Sequence, residues 1–290
     1  STQAKTLFPY TTLFRSAHAL TLNADTLAIS ANISGTSTLT IQPKTATTTI
    51  GLAGASGDLN LSVAELDYLQ NGFSLITIGS ATGTGKITTN AYTFKDTLKL
   101  INGGASSNGG IEIAGALSVL GASETSNNLT LNSLGAVTQG AEITAYGLEL
   151  LGAGATYTLT NTDNAITTLA GSTGTVSFFE NSGFAIGTVN TAGLTTSGNL
   201  TLSSTGTVTQ SNLIAAAGLE LLGVNGIYTL TNTSNAITTL AGSTGTVSFV
   251  ENSGFAIGTV NTAGLTTTGN TTMSSTGTVT QSQKVAATGL

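Results

Sequence analysis

Cysteine and tryptophan are absent from this chain of 290 residues, and proline occurs twice. Without cysteine there are no disulfides and no thiolate metal sites. Charge is scarce as well, at 7% of residues against roughly 25% in an average globular protein. No Lys or Arg lies between Ile101 and Gln283. That span holds eight acids: Glu112, Glu124, Glu142, Glu149, Asp163, Glu180, Glu220 and Glu251. Nothing there neutralises phosphates, which excludes nucleic acid as an expected partner. His18 is the sole histidine, so a His-based triad or His metal cluster has nothing to draw on. No apolar run is long enough to span a bilayer, and no signal-peptide pattern is recognisable.

What the chain has instead is Gly, with 37 residues, and a polar complement of Thr, Ser and Asn. Those residues suit strands and turns: Thr is β-branched, and Gly and Asn tolerate positive φ. Such a composition is compatible with disorder, but 39% of the residues are hydrophobic and they alternate with polar ones. ALTLNADTLAIS, STLTIQ, TTTIGL and DLNLSV place Leu or Ile at every second position, the mark of a half-buried strand. Ser62–Gly79 alone has helix-like character: Ala64–Leu69 reads as one short turn, and Asn71-Gly72 as a tight turn into FSLITIG.

The chain also repeats itself. The text from Gly147 to Gln210 returns from Gly218 to Gln281, and 218 − 147 sets a period of 71. Nine of 64 aligned positions differ. A partial earlier copy is visible in Asn128-Leu129-Thr130 and Gly135–Gln139. Tandem copies at a fixed period mean stacked units. We read residues 122–290 as repeats 122–192, 193–263 and a partial 264–290, preceded by divergent rungs over 17–121. Residues 1–16 do not match the rest of the chain. Their TLFPYTTLFRS resembles translated sequencing-adapter text, so they are expected to add no rung.

Turn signals divide one repeat into Gly193–Asn212, Leu213–Ile237 and Thr238–Ala263, each the size of one rung of a β-helix. Irregular breaks argue against a hairpin meander. The expected fold is all-β, a right-handed parallel β-helix (β-solenoid), the hand following from strand twist. About 24 residues per rung gives eleven or twelve rungs at about 4.8 Å each, with three rungs per repeat. Parity then assigns Leu159, Ile166, Val176, Phe178, Ile186, Leu200, Leu202, Val208, Ile214, Leu219 and Leu221 to the interior. Thr271 and Met273 replace Leu200 and Leu202 in the next copy, which should pack less well there. Leu290 corresponds to Leu219, so an unfinished strand is expected at that end, open to end-to-end self-association.

Ala64–Gly104 (AELDYLQNGFSLITIGSATGTGKITTNAYTFKDTLKLINGG) and the repeated YTLTNT(D/S)NAITTLAG…GTVTQS…GLELLG resemble the rungs of filamentous-haemagglutinin-like exoproteins. The resemblance covers essentially 17–290, and its motifs are structural ones. It implies the shaft region of a large bacterial adhesin, secreted or on the cell surface. It also implies two-partner secretion through an outer-membrane partner, and contact with host cells, other bacteria or an abiotic surface. The family's secretion domain is not recognisable here.

Candidate chemistry points the same way: no enzyme, no catalytic, cofactor-binding or metal residues, and no cofactor. The main rival readings are a carbohydrate-active β-helix enzyme or carbohydrate-binding solenoid, and an ice-binding solenoid. An enzyme needs clustered carboxylates. Glu149 and Glu220, and likewise Glu180 and Glu251, lie one period apart and should share an edge about 14 Å apart, too far for an acid/base pair. They read as surface charge that keeps the protein soluble. A sugar groove needs a row of exposed aromatics; Tyr157 and Tyr228 repeat at equivalent positions but are only two. An ice-binding face needs Thr-x-Thr at constant spacing, which rungs of unequal length should not supply. Ala81–Ile87 departs from a phosphate loop at Ser80 and Ile87. Asn161, Asn164, Asn232 and Asn235 read as corner residues that satisfy turn backbone.

Overall fold

Alternating apolar side chains close over one another when strands stack in parallel, and the described residues are built this way. A computed structural model describes residues 14–105, 109–120 and 126–289. They form a parallel β-helix of about twelve turns, arranged in two compact units, Ser1–Tyr146 and Gly147–Leu290.

In the first unit Leu20, Leu39, Ile76, Leu98 and Leu129 stand one above another, in parallel register. Leu59, Ile50, Ile87, Ile111 and Val137 make a second column. Except for Leu20, each of these side chains is at most 2% exposed. Burying one such residue contributes about 1.5–3 kcal/mol, and regular stacking repeats that gain turn after turn. The only helix among the described residues, Val63–Asp67, interrupts the stack. Ser62 caps it and Glu65 returns the bond to the Ser62 N–H, a capping box, while Leu66 is fully buried. Phe14–Ser16, within the stretch expected to add no rung, pairs in parallel with Ile33–Gly35. Residues 1–13 and Leu290, with its expected unfinished strand, lie outside the described residues.

The second unit contains the near-identical text. Val176, Leu200, Leu219, Leu240, Ile257 and Gln281 form one column, and the lengths of chain between them are unequal. Every interior residue assigned above is at most 5% exposed. Thr271 is buried but Met273 only half-buried, where its equivalent Leu202 is fully buried. Ile214–Leu230 and Ala236–Glu251 are too long for one flat side and bend around corners. Gly242 turns such a corner at φ 154°, where its hydrogen faces the Leu221 carbonyl.

The repeat does not equal three turns. Ile257 stands in the column of Leu240, Leu219, Leu200 and Val176. Its equivalent Ile186 is not in that column; it stands instead with Leu169 and Gln210. Continuing the Val208–Tyr228 pairing by two residues sets Gln210 beside Leu230. Leu230 pairs with Phe249, and Phe249 with Met273. From Ile186 the stack therefore climbs three whole turns to reach Phe249, and Ile257 lies part-way round the turn between Phe249 and Met273. One period advances the chain by three turns and close to half of a fourth. The expected figure of three rungs used turn signals alone, and the corners hold fewer residues than those signals imply.

Candidate functional site

The four repeated acids were expected at the surface, and all four are buried. Glu149 and Glu220 are each 1% exposed, and Glu180 and Glu251 are 0% exposed. This corrects the reading of them as solubilising charge.

Glu220 lies on the strand Ile214–Leu230 between inward-facing Leu219 and Leu221, so parity points it outward. The loop 258–264 (GTVNTAG) folds back over that outer side. Its own hairpin contact, Thr259 with Ala263, shapes the loop. Asn261 Nδ2 donates to Glu220 Oε2 at 2.7 Å, and the Thr262 N–H to Oε1 at 2.6 Å. Thr201 Oγ1, one turn below, donates to Oε2 at 2.9 Å. The loop, which follows Ile257 two stacking steps above Glu220, thus ties its own layer to those of Glu220 and Thr201. Glu149 is held by the matching pair of loop donors, Asn190 Nδ2 at 2.8 Å and the Thr191 N–H at 2.7 Å. Burial acts to raise the Glu220 pKa, but the donors from Thr262, Asn261 and Thr201 outweigh it and leave the carboxyl below its ordinary range. The two clips follow Ile186 and Ile257, so they fall on different sides and do not share an edge.

Glu180 and Glu251 share a sequence context but not a balance. Burial pushes the Glu180 carboxyl up to about 7, against hydrogen bonds from Ser182 Oγ at 2.6 Å and the Ile166 N–H at 3.2 Å. Burial also acts on Glu251, but its donors are more numerous: the Gly254 N–H, Ser253 through hydroxyl and N–H, and Ser275 Oγ. They hold its carboxyl below the ordinary value.

Other candidates resolve into structure. Tyr157 and Tyr228 are fully buried and cannot form a sugar platform. Tyr228 Oη donates to the Leu222 and Leu202 carbonyls at 2.6 and 3.0 Å. Asn235 Nδ2 donates to the Val250 carbonyl at 2.9 Å, and the Ser234 N–H donates to Asn232 Oδ1 at 2.9 Å, as expected of corner residues. His18 is exposed. Lys86 pairs with Glu112 at 2.5 Å across adjacent turns, both partly exposed. Such a surface pair contributes little. A shallow cavity of about 370 Å³ in the first unit is lined by Ala91, Tyr92, Thr93, Ala116, Leu117, Ser118, Glu142 and Thr144. Glu142 is its single carboxylate, so it holds no acid/base pair. Among the described residues no three of His, Cys, Asp and Glu converge as a metal site would require.

The surface left over is almost uncharged. Between Gly147 and Gln283 the only exposed charged side chain is Asp163, and Ser234 replaces it in the next copy. Outward Thr and Ser residues line up there despite unequal turns, because extra residues are absorbed at corners while strands keep register. Comparison with known proteins returned no matching family model, curated protein or solved structure.

Proposed function

We propose that this chain belongs to the shaft of a large bacterial adhesin of the filamentous-haemagglutinin-like kind, secreted or held at the cell surface, and that it has no catalytic role. One observation carries the reading. Each copy of the repeat makes the same neighbours as the copy before it. Leu169 pairs with Ile186 as Leu240 pairs with Ile257. Gly171 pairs with Leu194 as Gly242 pairs with Leu265. Ala185 pairs with Thr209 as Ala256 pairs with Thr280. Duplication of this text lengthens the stack without any new contact having to evolve, which serves a spacer. The buried acids support the same reading, since each is engaged by the fold's own donors. Export through an outer-membrane secretion partner, and contact with a host-cell, bacterial or abiotic surface by the parent protein, complete the proposal.

The test is to coat beads with residues 17–290 and score adherence to cells, beside assays of polysaccharide cleavage. A spacer cleaves nothing and adheres weakly by itself. Cleavage of a glycan polymer that is lost on Glu149→Gln or Glu220→Gln overturns it. Antibody labelling of intact cells that express the parent tests the location; signal only after lysis sinks it.

A further inference from the structure

The chain carries four Asn-Gly pairs: Asn71-Gly72, Asn102-Gly103, Asn108-Gly109 and Asn225-Gly226. In such a pair no side chain shields the backbone nitrogen that follows Asn, and this nitrogen can reach the carboxamide carbon. Whether it does so depends on what holds the two residues in place. Asn108 lies outside the described residues. Asn102 is 2% exposed and held at both ends: Nδ2 donates to the Gly85 carbonyl, and Oδ1 accepts from the Gly104 and Gly110 N–H groups at 2.8 and 3.0 Å. The Gly103 N–H donates to the Gly83 carbonyl at 2.7 Å. Asn71 is exposed, but the Gly72 N–H donates to Oδ1 of the buried Asp96 at 2.9 Å, which pins the attacking nitrogen. Asn225-Gly226 differs. Asn225 is exposed, next to Val224 at 75% exposure. Val224, Asn225 and Gly226 stand outside the strand ladder, three residues against the single Gly245, between the pairs Gly223–Thr244 and Ile227–Thr246. Among the described residues no partner holds the Asn225 carboxamide. Its φ of 62° disfavours the native backbone conformation relative to its alternatives. The equivalent corner one period earlier reads Gly154-Ala155 and has no such pair.

We propose that Asn225 is a site of spontaneous deamidation, at which the second unit acquires a carboxylate as the protein ages. The Gly226 nitrogen gives up its proton to water and bonds to Asn225 Cγ. The Cγ–Nδ2 bond breaks, and Nδ2 leaves as ammonia with a proton returned by water. Water then opens the resulting succinimide ring. Cleavage of the new Cγ–N bond leaves aspartate. Cleavage between the Gly226 nitrogen and the Asn225 main-chain carbonyl carbon leaves isoaspartate, with one extra methylene in the backbone. No electrons change hands, and water is the sole co-reactant. Both products fit the site. The carboxylate falls at an exposed position, and the extra backbone length falls in a segment already outside the ladder, so the pairs on either side keep their register. The added charge is conspicuous because Asp163 is otherwise the only exposed one between Gly147 and Gln283, and Ser234 replaces it in the second copy. Deamidation thus sets apart two copies whose sequences are almost alike.

The experiment incubates the folded 290-residue chain at mildly alkaline pH, in parallel with the same chain unfolded in urea. Each sample is then denatured and cut after Glu. Cuts after Glu65, Glu112, Glu220 and Glu251 release peptide 66–112, with Asn71 and Asn102, and peptide 221–251, with Asn225. Mass spectrometry measures the deamidated fraction, and fragmentation locates it. In urea the three Asn residues should react at comparable rates. In the folded chain Asn225 should stay within about threefold of its rate in urea, while Asn71 slows about tenfold and Asn102 about a hundredfold, following the number of hydrogen bonds each must first break. Asn225→Gly, which a φ of 62° accommodates, should leave peptide 221–251 without the new carboxylate. Hydroxylamine, which attacks a succinimide, should cut the folded wild type between residues 225 and 226. A folded chain in which Asn225 slows as much as Asn102 overturns the proposal. So does an aged peptide 221–251 whose new carboxylate lies at Asn232 or Asn235 instead. Adherence and cleavage do not enter these readouts, so failure here leaves the shaft reading standing.

Discussion

Asn261 donates to Glu220 at 2.7 Å although 41 residues of chain separate them. The path between runs through two stacking steps, from Leu219 to Leu240 and from there to Ile257, before the loop turns back. Adjacent layers are already joined by backbone ladders, and this side-chain bridge ties layers that are not adjacent. Its donors are a side-chain amide, a backbone N–H and the Thr201 hydroxyl, and all three meet one carboxylate.

Replacing Glu220 with Ala leaves those donors without their acceptor beneath the loop. We expect a loss of about 3 kcal/mol, as befits several hydrogen bonds to a buried charge. Glu220→Gln keeps one acceptor oxygen and should cost less. Urea denaturation gives the energies, and limited proteolysis reports whether 258–264 opens. An unchanged midpoint for Glu220→Ala would show that the clip contributes nothing to stability.

The inward residues were legible because parity and burial act locally: Leu219 and Leu221 can only face a core that wants them. Glu220, between them, was not legible. Parity places it outward, and its roof comes from a loop 41 residues later. No local pattern reports that. The stacked architecture was legible from the fixed period that returns Gly147 as Gly218, but the number of turns in that period was not. That number depends on how many residues each corner absorbs, and this varies widely. The step from Leu240 to Ile257 takes much less chain than the step from Val176 to Leu200, although each climbs one layer. The alignment of outward Thr was missed for the same reason.

Glu180 should make stability depend on pH. Its folded carboxyl is pushed up to about 7 from an ordinary 4.5, so folding favours the neutral form. Its contribution is fully present below the ordinary value and is lost as pH rises to about 7. Glu220 and Glu251, whose carboxyls are lowered, act in the opposite sense: their contributions hold above the ordinary value and fade as pH falls through their folded values. Thermal melts should show the wild type losing up to about 3 kcal/mol relative to Glu180→Gln between pH 4.5 and pH 7. Parallel pH profiles for the two proteins would mean that Glu180 ionises normally.

Two glycines of the repeat should respond oppositely to substitution. Gly154 has φ 75° with open space around its Cβ direction, and Asn225 occupies the equivalent place at φ 62° in the next copy. Gly154→Asn should therefore change stability by no more than about 1 kcal/mol. At Gly242 a Cβ would lie 2.1 Å from the Leu221 carbonyl oxygen. Gly242→Ala must push neighbouring turns apart and should cost more than about 2 kcal/mol. Equal midpoints for the two variants would show that the corner yields without cost.

The half-turn offset can be tested with pairs of cysteines, which the chain otherwise lacks. Thr229 and Ser248 are neighbours in adjacent turns, about 4.8 Å apart along the stack. Thr229→Cys with Ser248→Cys should be joined quantitatively by a short bis-maleimide. Thr158 is exposed and is the equivalent of Thr229 one period earlier. If a period covered three whole turns, Thr158 and Thr229 would share a column about 14 Å apart, within reach of a linker of moderate length. With the extra half turn they face opposite sides, and the body of the solenoid stands between them. Thr158→Cys with Thr229→Cys should remain unbridged by that moderate linker at protein concentrations too low for contact between molecules. Efficient bridging within one chain would restore a period of whole turns, and with it a single edge shared by Glu149 and Glu220.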